Sequence, residues 1–154
     1  MKMATTYYFL PTRNLFGEDS VNEAGTLMKS LGGKKVMIVT DSFLASSGMA
    51  GQIQQILSEA GLESVIFDGA EPNPKDTNVE SGMEVFRKNG CDSIISLGGG
   101  SSHDCAKAIG LIAANGGKIS DFEGVDKSSN PMCPLIAINT TAGTASEITR
   151  FCII

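Results

Sequence analysis

The chain holds a single histidine, His103, in 154 residues. One imidazole cannot build the usual zinc or iron centre, which draws on several histidine, cysteine or carboxylate ligands. Cysteine is sparse as well: Cys91, Cys105, Cys133 and Cys152 stand far apart with no Cys-x-x-Cys pair. That spacing points to reduced, partly buried thiols of a cytoplasmic protein rather than to disulfides or zinc. No apolar run approaches the roughly 18 residues that a membrane span needs, so no membrane partner is expected. The opening "MKMATTYYFL" lacks the apolar region and small-residue cleavage site of a secretion signal. Basic residues are outnumbered, with 12 Lys and Arg against 17 Asp and Glu and a net charge of −5. Without a basic stripe to displace counterions, nucleic acid is not an expected partner.

What remains is an ordinary globular composition, 42% apolar and 19% charged, long enough for one domain with a real core. Apolar runs alternate with helical patterns. "TTYYFLP" (5–11) predicts an edge strand. Ser20 and Glu23 have the spacing of a capping box that opens a helix to about Leu31, stopped by Gly32 and Gly33. "KVMIVTD" (35–41) is nearly all apolar, as in a strand buried on both faces. A helix over 44–61, a strand over 63–69 and a proline-containing loop over 71–76 follow. Thr77 and Glu80 suggest a second capping box, with a helix running to Asn89. "CDSIISL" (91–97) predicts a strand, Ser101 to Asn115 a helix, and "PLIAINT" (134–140) another strand. The fold class is therefore α/β, a Rossmann-like parallel sheet with helices on both faces. The final "RFCII" looks like the start of a strand, so the chain is expected to be part of something longer.

In such a sheet, ligands bind beyond the carboxyl ends of the strands. Gly98, Gly99 and Gly100 stand at one of these ends, immediately before a helix. Backbone without Cβ atoms turns tightly and admits close approach, and the free N–H groups of the helix start favour an anion. A phosphate or pyrophosphate is the best match; a ligand-free tight turn is the alternative. The stretch matches neither a Walker A motif nor a first-strand Gly-x-Gly-x-x-Gly. Asp41, at the end of its strand, is either an acceptor for an adenosine ribose, favouring NAD over NADP, or a helix N-cap. In "NTTAGTASE" (139–147), Thr140 and Thr141 could offer hydroxyls to a nucleotide, while Thr144 and Glu147 have capping-box spacing. Asn73, between two prolines, is either a turn residue or part of the groove. His103 is expected on an exposed first helical turn, Lys107 on a solvated helix face, and the methionines in the core.

"GGGSSHDCAKAIG", with "PNP" upstream and "NTTAGTASE" downstream, resembles the N-terminal domain of the iron-containing (group III) alcohol dehydrogenases, from about Tyr8 to the last residue. The likeness is greatest to the branch of 1,3-propanediol dehydrogenase, lactaldehyde reductase and NAD-dependent methanol dehydrogenase. It implies the N-terminal half of a dehydroquinate-synthase-like fold. It also implies NAD as cofactor, with Gly98, Gly99, Gly100 and Ser101 on the pyrophosphate, Asp41 on the ribose, Asp104 supporting the loop, and Asn73, Thr140, Thr141 and Thr144 lining the groove. The parent activity implied is interconversion of a primary alcohol or diol with its aldehyde. Fe2+, or sometimes Zn2+, would be held by one Asp and three His of a helical C-terminal domain that has no counterpart in residues 1–154. A homo-oligomer paired near Tyr7, Tyr8 and Phe9, weak cofactor affinity and self-association of the isolated domain are further expectations. The competing readings are a glycerol-dehydrogenase-like or dehydroquinate-synthase-like enzyme domain and a non-catalytic nucleotide-binding module.

Overall fold

A computed structural model describes residues 12–154. The edge strand expected over 5–11 lies outside the described residues. A 3-10 turn at Ser20–Glu23 runs directly into α1, Ala24–Ser30. The chain then alternates: β1 Lys35–Val39, α2 Ser42–Ser46, α3 Met49–Glu59, β2 Glu63–Phe67, α4 Asp76–Asn89, β3 Ser93–Gly98, α5 Gly100–Asn115 and, after a 3-10 turn at Ile119–Phe122, β4 Leu135–Asn139. The four strands form one sheet in the order β2-β1-β3-β4, and every pairing is parallel.

The strands alternate their burial between two cores, which explains why nearly every residue in them is apolar. Met37, Val39 and Ile94 face α4 and α5, packing with Val79, Met83, Phe86, Cys105 and Ile109. Val36, Ile38, Ile95 and Leu97 face the other way, onto Ala24, Met28, Leu44, Ile53 and Leu57 of α1, α2 and α3. Each face therefore carries helices, as the fold class requires. All six residues of β3 are buried, so this strand is the centre of the domain.

Four local expectations are corrected. Ser20 and Glu23 do not form a capping box: Asp19 precedes the 3-10 turn in a left-handed conformation, and no side chain caps it. The helix expected over 44–61 is two helices, because Gly48 adopts φ 90° and breaks the run before Met49. The box at Thr77 and Glu80 is also absent. The helix starts earlier, at Asp76, and the Asn78 carboxamide accepts from the Lys75 N–H at 2.8 Å. The terminal "RFCII" (150–154) forms no strand.

Where α1 crosses α3, space is the constraint. A Cβ on Gly25 would sit 2.6 Å from Ala60 Cβ and 3.0 Å from the Ile56 carbonyl oxygen, whereas one on Gly51 would meet nothing. Gly25→Val should lower the unfolding free energy by about 1–3 kcal/mol through overpacking. Gly51→Ala, on an exposed helical face, should raise it by about 0.5–1 kcal/mol. Urea titrations of the two variants check both signs.

Candidate functional site

The carboxyl ends of β1 and β3 are adjacent in the sheet, yet the chain leaves β1 for β2 on the opposite side. This reversal opens a crevice at the strand ends, the usual ligand position of such sheets. Asp41 and the three glycines both stand there. Asp41 takes the capping alternative in full: its Oδ1 accepts from the Leu44 N–H at 2.8 Å, fixing the start of α2. Its second carboxylate oxygen accepts no hydrogen bond among the described residues.

At the end of β3, Gly98 has φ 145°, and a Cβ there would strike the Ser102 side chain. Gly99 is the N-cap of α5, and no side chain caps that helix start. The first-turn amides of a 16-residue helix therefore lack the side-chain acceptor that usually serves them. The glycines have a second neighbour that the sequence did not disclose. A Cβ on Gly99 would lie 3.2 Å from Thr141 Cβ and Oγ1; one on Gly100 would lie 3.2 Å from Thr144 Cβ. The missing side chains thus let the threonine loop close over the start of α5. Thr140 continues the ladder by donating its N–H to Gly98 O at 2.9 Å, and Thr140, Thr141 and Thr144 are all exposed. The structure brings Gly98, Gly99, Gly100, Thr140, Thr141 and Thr144 together at one strand end.

The capping box expected of Thr144 and Glu147 is not formed, since residues 141–149 make turns and no helix. Thr144 Oγ1 instead accepts from Ser146 N–H at 3.4 Å. Glu147 Oε2 is buried without a hydrogen-bond partner among the described residues.

His103 and Lys107 correct the sequence reading most strongly. Neither is on a solvated face. His103 is 1% exposed and Lys107 9%. The imidazole bridges two residues: Nδ1 lies 2.7 Å from Ser96 Oγ on β3, and Nε2 lies 2.5 Å from Asn139 Oδ1 at the end of β4. The Lys107 ammonium donates to Ser146 O at 2.9 Å, to Thr149 O at 3.4 Å and to Phe151 O. It also pairs with Asp104 Oδ1 at 3.2 Å. Asp104 accepts in turn from Ser146 Oγ at 2.6 Å. A clue lay in the sequence of α5 itself. Its run of Ala, Cys, Ile and Gly leaves no polar face for water, and no residue of α5 is exposed. A charge on such a helix must find a partner inside.

Asn73, Ser101 and Asp104 share the wall of a groove of about 1050 Å3 with Phe122, Phe151 and Ile153. Asn73 is held in the left-handed region, φ 53°. Asp41 and the threonines do not line this groove. The expected site residues therefore fall into two sets, joined by the N-terminal turn of α5. Among the described residues, no group of three or more His, Cys, Asp or Glu side chains could hold a metal ion. No described helix is long and apolar enough to cross a membrane.

Residues 11–154 match the sequence profile described as iron-containing alcohol dehydrogenase. The chain belongs to this family. It is 49% identical to the NAD-dependent methanol dehydrogenase of Bacillus methanolicus, over 97% of its own length and 39% of the relative's. It is 48% identical to the 1,3-propanediol dehydrogenase of Citrobacter freundii, over 96% of its length and 38% of that protein. Among solved structures, a sulfoacetaldehyde reductase from Bifidobacterium kashiwanohense in complex with NAD+ matches with a TM-score of 0.86 at 33% identity, over 95% of this chain and 39% of that one. The chain thus spans about two fifths of the length of these family members, and the Rossmann-like sheet expected of the family's N-terminal domain is the one observed.

Burial is the main reason that the His103 imidazole is held below its ordinary value of 6.5. The bond to Asn139 and the carboxylates of Glu147 and Asp104 oppose the shift, and the Lys107 charge adds to it. The unfolded chain takes up a proton near 6.5, while the folded chain resists protonation until lower pH. The stability from this group is therefore complete above 6.5 and is lost as pH falls below it. The chain has one histidine, so the slope belongs to one residue. Denaturant midpoints taken between about pH 7.5 and about pH 5.5, above most carboxylate titration, should fall with pH. In His103→Gln the fall should be shallower.

Proposed function

We propose that this chain is the dinucleotide-binding portion of an NAD-dependent alcohol dehydrogenase acting on a primary alcohol or diol and its aldehyde. One observation carries the reading: the uncapped start of α5 faces exposed threonine hydroxyls across two residues that have no side chain. Bound there, the nicotinamide dinucleotide supplies a ring that takes or returns a hydride.

The chain's own residues do the binding. Amides of Gly99, Gly100 and Ser101, together with the positive end of the α5 dipole, stabilise the two negative charges of a pyrophosphate. Thr140, Thr141 and Thr144 offer hydroxyls from the facing loop. Asp41, whose Oδ1 is engaged by α2, presents its remaining oxygen to the ribose hydroxyls and repels a 2′-phosphate. Asp104 keeps the loop on the helix through Ser146, and Asn73 and Ser101 border the groove that leads from the pyrophosphate position. The iron implied by the family, and the residues that hold it, belong to the remaining length of the relatives.

Calorimetric titration of the chain with NADH should give heat. Gly99→Val should abolish it: the backbone at Gly99, φ −102° and ψ −160°, suits valine, but the γ-carbons would fill the space against Thr141. Unchanged affinity in that variant would remove the glycine turn from the site. Asp41→Gly should shift preference toward NADPH while lowering stability by only a few tenths of a kcal/mol, since glycine is a tolerable cap. Equal NADH and NADPH preference before and after the change would remove Asp41 from the ribose role.

A further inference from the structure

His103 and Lys107 are buried, lie on the helix that starts at the glycines, and are directed at the chain on either side of the threonines. Residues 140–151 contain no helix or strand, so their carbonyls have no ladder of their own. Three of those carbonyls, from Ser146, Thr149 and Phe151, converge on the Lys107 ammonium, which has three N–H groups to give. Its charge is balanced by Asp104, and the Asp104 carboxylate accepts from the Ser146 hydroxyl. At the other end, His103 holds Asn139, the last residue of β4 and the one directly before Thr140. The ring is fixed in turn by Ser96 of the central strand. The loop is therefore gripped at 139 and again at 146–151, with Thr141 and Thr144 between the two grips and against Gly99 and Gly100.

We propose that His103 and Lys107, with Asp104, form a clamp by which α5 sets the distance between the threonine hydroxyls and its own N-terminal amides, making both of them positioning residues for the dinucleotide. They touch no nucleotide in this arrangement. Their effect on affinity arises because moving the threonines off the helix start would break buried contacts to charged or doubly bonded groups. The inference rests on the nucleotide reading in its last step, while the clamp itself is testable without any nucleotide.

Two readouts separate these steps. The first is amide hydrogen exchange of Ile148 and Thr149, whose N–H groups both bond to Ala145 O, and of Thr140, bonded to Gly98 O. In Lys107→Met, Ile148 and Thr149 should exchange about tenfold faster or more, while the amides of β1 keep their protection. His103→Leu should free Thr140, and His103→Gln, which retains a donor and an acceptor, should restore it. The second readout is NADH calorimetry, in which Lys107→Met and His103→Leu should each raise the Kd about tenfold, the effect of one lost buried partner. Asn139→Ala removes the same contact from the exposed end and serves if the buried variants fail to fold. Unaltered exchange of these loop amides would overturn the clamp. Freed amides with an unchanged NADH Kd would overturn the positioning role. No NADH heat from the unmodified chain would instead sink the nucleotide reading, and the exchange data would still decide the clamp.

Discussion

Two positions without side chains, Gly99 and Gly100, allow a loop and a helix start to meet at van der Waals distance from Thr141 and Thr144. The rest of the site depends on that approach. Helix starts with bare amides are common, and exposed threonines are common, but neither alone defines a ligand position. Bringing them together requires the end of β3 and the end of β4 to be level, which their parallel register provides by pairing Gly98 with Asn139. The sheet thus aligns the two walls, and the glycines let them close.

The same approach explains the polar interior of α5. A helix covered on all sides would ordinarily carry only apolar residues, and most of α5 does. Its ionisable residues, His103, Asp104 and Lys107, sit within two turns of the glycines. Burying a lysine without partners would cost several kcal/mol, and this one is compensated by three carbonyls and a carboxylate. Cys105, in the same stretch, faces the opposite core, and burial pushes its thiol up to about 12. Helix α5 therefore divides its circumference: one side packs as hydrocarbon against α4, the other binds an irregular backbone by charge.

Most of the sheet could be read from sequence because each strand is a short apolar run buried on two faces, and such runs have few other uses. Val36–Val39 and Ile94–Leu97 left little choice. Helix boundaries were harder, since they turn on single backbone conformations. Gly48 in the left-handed region splits α2 from α3, and Asn78 rather than a threonine serves the start of α4. The glycine turn, Asp41 and the threonines are legible as candidates because their chemistry is local to a strand end. His103 and Lys107 read as solvated because nothing nearby in the sequence covers them. Their cover comes from residues 139–151, roughly forty positions on, and only the parallel return of β4 carries it there.

The sheet order also bears on how the domain assembles. Lys35 meets Glu63, Ile94 meets Leu135, and Val36 meets Ser93 only after crossing both α3 and α4. Doubling the span of a closed loop costs only about 0.6 kcal/mol, so the nearer pair gains little from nearness. The distant central pair joins Met37 and Ile38 to Ile94 and Ile95, all four removed from water. The β1–β3 pairing therefore places four fully covered side chains at the middle of the sheet, with β2 and β4 flanking it on either side.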